Sequence, residues 1–174
     1  MLDPLGSSTL GDVRLSILIV DDDAGFRRVA RDLLASRGYA IAGEAATLHE
    51  ARMAVGTQGP DGVLLDVNLP DGDGLDLAAE LGGSWPAMRV LLTSTSEGAA
   101  PPDLVRRVGA VGFVRKRDLI SADLAGYLGG SGDASGGLAR ALDRNNRLKG
   151  RALARLARDR QASVECGDTV AEPD

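Results

Sequence analysis

Between Leu15 and Leu128, five short apolar runs alternate with stretches of helical periodicity, and this alternation most restricts how the chain can fold. Apolar runs of four to six residues bounded by turn formers read as buried strands. They fall at 16–20, 40–44, 62–66, 89–93 and 111–114. Helices are predicted at 24–36, 48–56, 74–82, 101–108 and 118–128. In the first, Phe26, Val29, Ala30, Leu33 and Leu34 recur at helical spacing, and Gly38 stands just past the end, where a left-handed residue terminates a helix. Thr47 is placed to cap the second, with Glu50 completing a capping box. Pro101-Pro102 suits the first turn of the fourth. Five strands alternating with five helices predict an α/β fold, a parallel sheet covered on both faces.

Sites in such sheets form at the carboxyl ends of the strands. Asp21 and Asp22, Asp66, Thr93 and Lys116 each lie at or just after the end of a predicted strand, so four strands aim polar groups at one rim. Carboxylates brought that close repel one another unless a divalent cation lies between them, and hard oxygen ligands suit Mg²⁺. The Asp21-Asp22-Asp23 triplet also has a simpler use, as an acidic start to the following helix. Asp71-Gly72-Asp73-Gly74 lacks the spaced acids and closing Glu of a calcium-binding EF-hand loop and reads as turn chemistry. His49, the only histidine, falls on a surface helix, and no phosphodonor role is assigned to it.

At 174 residues the chain has room for one domain plus extensions. Aromatics make up 3% of residues, so the core is expected to be Leu, Val and Ala. No apolar stretch reaches the roughly 18–20 residues of a membrane span, and Met1 to Gly11 lacks the pattern of a secretory signal. The single cysteine, Cys166, can form neither an internal disulfide nor a cysteine metal cluster. A soluble, cytoplasmic protein is expected.

Charge is unevenly spread. Residues 1–137 hold 12 basic and 19 acidic side chains, residues 138–164 hold 8 and 2, and residues 165–174 hold none and 4. The predicted organisation is a disordered N-terminus at 1–14, a domain at 15–129, a Gly/Ser linker at 130–137, a basic amphipathic helix at 138–160 and an acidic disordered tail at 161–174. On that C-terminal helix, Leu138, Leu142, Leu148, Leu153 and Leu156 share an arc of about 140°, with arginines opposite. Packing of the leucine face on the domain, or on a second copy in a homodimer, is the leading expectation. Contact with an anionic membrane or nucleic acid is the lesser one. Roughly 37 residues after the linker do not supply a helix-turn-helix domain, so no sequence-specific DNA binding is predicted.

The ordered set Val20-Asp21-Asp22, Leu65-Asp66-Val67-Asn68-Leu69-Pro70-Asp71-Gly72, Leu92-Thr93-Ser94 and Gly112-Phe113-Val114-Arg115-Lys116 resembles the receiver domain of two-component response regulators, the chemotaxis regulator among them. The intervals of 44 residues from Asp22 to Asp66, 27 to Thr93 and 23 to Lys116 resemble that family too. The resemblance covers Leu15 to Gly129. It implies a flavodoxin-like doubly wound five-stranded parallel sheet of strand order 2-1-3-4-5, with the C-terminal helix as an extension. It also implies that Asp66 accepts a phosphoryl group from a phosphohistidine, on a sensor histidine kinase or phosphotransfer protein. Asp21, Asp22, Asp66 and the carbonyl of Asn68 would hold Mg²⁺. Thr93 and Lys116 would contact the phosphoryl oxygens, Thr93 and Phe113 would form a switch, and a downstream protein would read the result.

The chain departs from the family pattern in three places. Arg117 follows Lys116 where many members carry proline, so a trans bond is expected. Phe113 lacks a ring hydroxyl, so any switch must act by packing. Ser94 stands where a smaller residue is common, and would narrow the approach of water. Two rival readings are kept: an Mg²⁺-dependent phosphohydrolase with an aspartate nucleophile, of the haloacid dehalogenase type, and a phosphorylation-independent interaction module acting through the basic tail. The first wants an acid two residues after the nucleophile, where this chain has Asn68.

Overall fold

The strand Gly62–Asp66 is buried at every position and forms the middle of the sheet. The computed structural model describes residues 14–129. The expectations for residues 1–13, the linker 130–137, the basic helix 138–160 and the tail 161–174 therefore lie outside the described residues.

In chain order the main elements are β1 (Ser16–Val20), α1 (Ala24–Ser36), β2 (Ala40–Ala45), α2 (Leu48–Gln58), β3 (Gly62–Asp66), α3 (Gly74–Ser84), β4 (Arg89–Ser94), α4 (Pro102–Arg107), β5 (Gly112–Arg115) and α5 (Leu124–Leu128). The five strands pair in parallel in the order β2-β1-β3-β4-β5. This is the doubly wound architecture and strand order expected. A two-residue antiparallel ladder, Asn68–Leu69 with Gly72–Asp73, stands apart from the sheet.

Alternation along the strands builds two apolar layers. Leu18, Val20, Val63, Leu65, Val90 and Leu92 face α2, α3 and α4, meeting Ala51, Val55, Leu77, Leu81 and Val105. Ile17, Ile19, Leu64, Leu91 and Val114 face α1 and α5, meeting Ala30, Leu34, Leu124 and Leu128. Because both faces are covered, the strand interiors Ile17–Val20 and Val63–Leu65 are wholly apolar, and the acids begin only at the carboxyl ends.

Helix ends follow local chemistry. The Asp23 side chain accepts from the amides of Gly25 (2.7 Å) and Phe26 (3.2 Å), so the last acid of the triplet does cap α1. Gly38 takes φ 85° beyond the end of that helix, as its position predicted. Thr47 caps α2 by accepting from the Glu50 amide at 3.1 Å. Glu50 reaches back to accept from the Ala46 amide at 2.7 Å, one residue beyond the usual capping-box partner, the amide of Thr47.

The fifth helix differs from expectation. Helix was predicted over 118–128, but a 3₁₀ turn occupies Lys116–Asp118 and α5 begins only at Leu124. Arg37, just past the end of α1, donates to the carbonyls of Ala122 (2.6 Å) and Ile120, capturing acceptors that a continuous helix would use. Ser121 Oγ bonds the Asp118 carbonyl at 3.0 Å, and Asp123 starts α5 by accepting from the Gly126 amide at 3.0 Å. No cis peptide bond occurs among the described residues, in keeping with the trans Lys116-Arg117 bond expected.

Gly74 opens α3 directly against the end of β3, its amide donating to the Val67 carbonyl at 2.7 Å. A Cβ added there would press into the backbone of Asp66, well inside van der Waals contact. Backbone cannot swing away as a side chain can. Gly74→Ala is therefore expected to lower stability by about 1–3 kcal/mol, read as a fall in the urea midpoint.

Candidate functional site

β1 and β3 are neighbours, so the acids that end them meet at one rim. Oxygens of Asp21, Asp22 and Asp66 lie within 4.8 Å of one another. Asp21 is 0% exposed and Asp66 4%, whereas Asp22 faces solvent. Lys116, the first residue past β5, reaches over β4 to the same point. Its ammonium stands 2.7 Å from Asp21 Oδ2 and 2.8 Å from Asp66 Oδ2. The same ammonium lies 4.8 Å from the centre of the Phe26 ring, a cation–π contact from α1.

Two acids share that one cation, and the protonation equilibria reflect it. Burial pushes the Asp21 carboxyl above its ordinary range, outweighing the pull of Lys116 and of the Asp23 amide. Burial alone would lower Lys116, but its bonds to Asp21 and Asp66 prevail and raise it. The lysine is thus held charged while Asp21 is left short of compensation. Despite the close ammonium, Asp21 Oδ2 receives no well-aligned hydrogen bond.

Thr93 pairs directly with Asp66 across the β3–β4 ladder. It is fully buried, and its hydroxyl is without a hydrogen-bond partner among the described residues. A buried hydroxyl left so costs roughly 1–3 kcal/mol. Two buried carboxylates and a third at the surface, with a single ammonium between the buried pair, form an oxygen donor set short of positive charge. These residues fit a hard divalent cation.

Asn68 sits beside the cluster, its amide 3.3 Å from Asp66 Oδ1. Its side chain donates to Ser94 Oγ at 3.3 Å, joining the loop after β3 to the end of β4. Phe113 is half-buried against the layer of α2, α3 and α4. In the β4–β5 ladder it stands opposite Leu92, while Val114 stands opposite Thr93. The pleat therefore sends Phe113 to the other face from Thr93.

Two supports were not foreseen from sequence. Arg27, on the first turn of α1, donates to the backbone carbonyls of Asp21 (2.6 Å) and Asp22 (3.2 Å) and also pairs with Glu44. Asp71 accepts from the amides of Leu48 (2.8 Å) and His49 (3.0 Å), binding the loop after Asp66 to the start of α2. The only sequence signal for the second was an acid in a turn, with no hint of a partner 23 residues upstream.

A family model described as the response regulator receiver domain matches residues 17–122. The chain belongs to that family. Receiver domains are signalling modules, which takes this chain into two-component signal transduction. Among its relatives, the DNA-binding transcriptional activator DevR/DosR of Mycobacterium tuberculosis is 38% identical over 113 residues, covering 64% of this chain and 51% of that protein. The chemotaxis protein CheY of Thermotoga maritima is 31% identical over 100 residues, 58% of this chain and 83% of that one. A LuxR-family two-component response regulator from Aurantimonas matches in structure with a TM-score of 0.59 and 29% identity, over 74% of this chain and 97% of that one. Against the first several curated relatives the chain spans only about a third to three fifths of their length. Among the described residues no helix is long and apolar enough to cross a membrane.

The bonds to the α2 amides, the Leu48 amide first, hold the Asp71 carboxyl below its ordinary range. A depressed acid contributes stability above its unfolded pKa and loses it as pH falls through the folded value. The stability gap between wild type and Asp71→Ala is expected to be full above about pH 4 and to close at lower pH, as urea titrations across that range would show.

Proposed function

We propose that receiver residue Asp66 is the phosphoryl acceptor of a two-component switch, with Mg²⁺ as its cofactor. The observation that carries this reading is the buried Asp66 carboxylate, gripped by Lys116 and paired in the sheet with a buried Thr93 hydroxyl that lacks a partner. A carboxylate held in this way is a competent nucleophile. One of its oxygens attacks phosphorus of a phosphohistidine, the P–N bond breaks, and the imidazole leaves with a proton. An acyl phosphate on Asp66 results.

Each neighbour then has a task. The Lys116 ammonium holds an Asp66 oxygen at 2.8 Å beforehand and balances charge on the phosphoryl oxygens afterwards. The Thr93 hydroxyl gains an acceptor in one of those oxygens. Asp21, Asp22, Asp66 and the Asn68 carbonyl would hold Mg²⁺, which supplies Lewis-acid neutralisation of phosphoryl charge. Phe113 flanks Leu92, the residue before Thr93, so movement at the end of β4 would reach the outer surface through packing. The phosphodonor is a sensor histidine kinase or phosphotransfer protein of the cytoplasm, and a protein partner reads the switch.

Incubation with acetyl phosphate and Mg²⁺ tests the acceptor. Intact mass is expected to rise by one phosphoryl group in wild type and not in Asp66→Asn; equal gain in both would move the modification elsewhere. The metal set has its own check. Asp21→Asn is expected to weaken Mg²⁺ binding at least about tenfold by calorimetry. Because Asp21 is an under-compensated buried acid, the same variant should lose no thermal stability without metal. Unchanged affinity would remove Asp21 from the ligands.

A further inference from the structure

β5 is an edge strand, and along its open side runs a groove of about 720 Å³. Val111, Phe113 and Tyr127 give it an apolar floor, and Glu97, Asp118 and Asp123 give it an acidic rim. Arg115 also lines it, pairing with Glu97 and Asp118, and Arg117 pairs with Glu97 from outside. Even with both arginines counted, the acids are in excess.

The chain leaves the described domain beside this groove. Tyr127 lines it two residues before Gly129, whose carbonyl is fixed by the Tyr39 hydroxyl at 2.8 Å. The next eight residues, 130–137, are Gly-Ser-Gly-Asp-Ala-Ser-Gly-Gly. Extended, they reach roughly 26 Å, about twice the length of a four-residue strand such as β5. Residues 138–160 follow, with 8 basic and 2 acidic side chains and leucines at helical spacing opposite the arginines. The domain of residues 14–129 holds 12 basic and 16 acidic side chains, the opposite balance.

We infer that this groove is the docking surface for residues 138–160 of the same chain, leucines on Val111 and Tyr127 and arginines on Glu97, Asp118 and Asp123. Tethering gives the segment an effective concentration in the millimolar range, which a free competitor must overcome. Any protein that uses the β5 edge has first to displace it. The inference does not depend on phosphorylation of Asp66.

The single native cysteine makes the test direct. In the 174-residue chain carrying Cys166→Ser and Asn146→Cys, which lies beside the leucine arc and not within it, a nitroxide is attached at position 146 and amide signals of the ¹⁵N-labelled protein are recorded. Signals of Arg115, Asp118 and Asp123 are expected to broaden and to recover when Arg144→Glu, Arg151→Glu and Arg155→Glu are added, although the tether is unchanged. Broadening that persists in that variant, or falls on α1 and α2 instead, would overturn the inference. So would broadening seen only when a spin-labelled chain is mixed with a separate ¹⁵N chain, which would assign the groove to a second copy. Val111→Lys, which puts a cation on the groove floor, should abolish the effect while leaving the remaining amide spectrum of the folded domain in place.

Discussion

Everything at the rim depends on one ammonium placed between two buried carboxylates. Like charges at this separation repel by a few kcal/mol at the effective dielectric of a protein, and neither Asp21 nor Asp66 can turn to solvent for relief. Lys116 offsets part of that cost and no more. A balance left incomplete is useful in a switch, because a small added charge can then shift it. A fully neutralised cluster would be more stable and less responsive.

The scaffold holds this arrangement from behind. Arg27 clasps the carbonyls after β1, and Asp71 fastens the loop after β3 to α2, so both acid-bearing turns are tied to helices on opposite faces of the sheet. Gly74 lets α3 start hard against Asp66. The acids are therefore positioned by the packing of whole layers, with short polar bonds correcting the last turn of chain.

Much of this was legible in the sequence for a physical reason. Strands buried on both faces must be apolar throughout, so Ile17 to Val20 and Val63 to Leu65 announce themselves, and the first carboxylate after each marks the rim. Caps were readable because they are local, as Thr47 and Gly38 show. What was lost was non-local. The shortened α5 arises from Arg37, some 85 residues upstream, and no periodicity within 118–128 records that competitor. The Asp71 and Arg27 bonds were hidden likewise, since an isolated acid or arginine carries no sign of its partner. For Phe113 only a position was readable, and the ladder added a direction, toward the helices on the face away from Thr93.

The depth of β3 has an implication for whatever approaches it. Asp66 ends the central strand, with a neighbour on either side, and only 4% of it is exposed, so its carboxylate is approached from the strand tips. A visiting group therefore passes the loops that follow β1, β3 and β4 before it meets the carboxylate. Selectivity among visitors is then decided by how well those loops seat the visitor, well outside the chemistry itself.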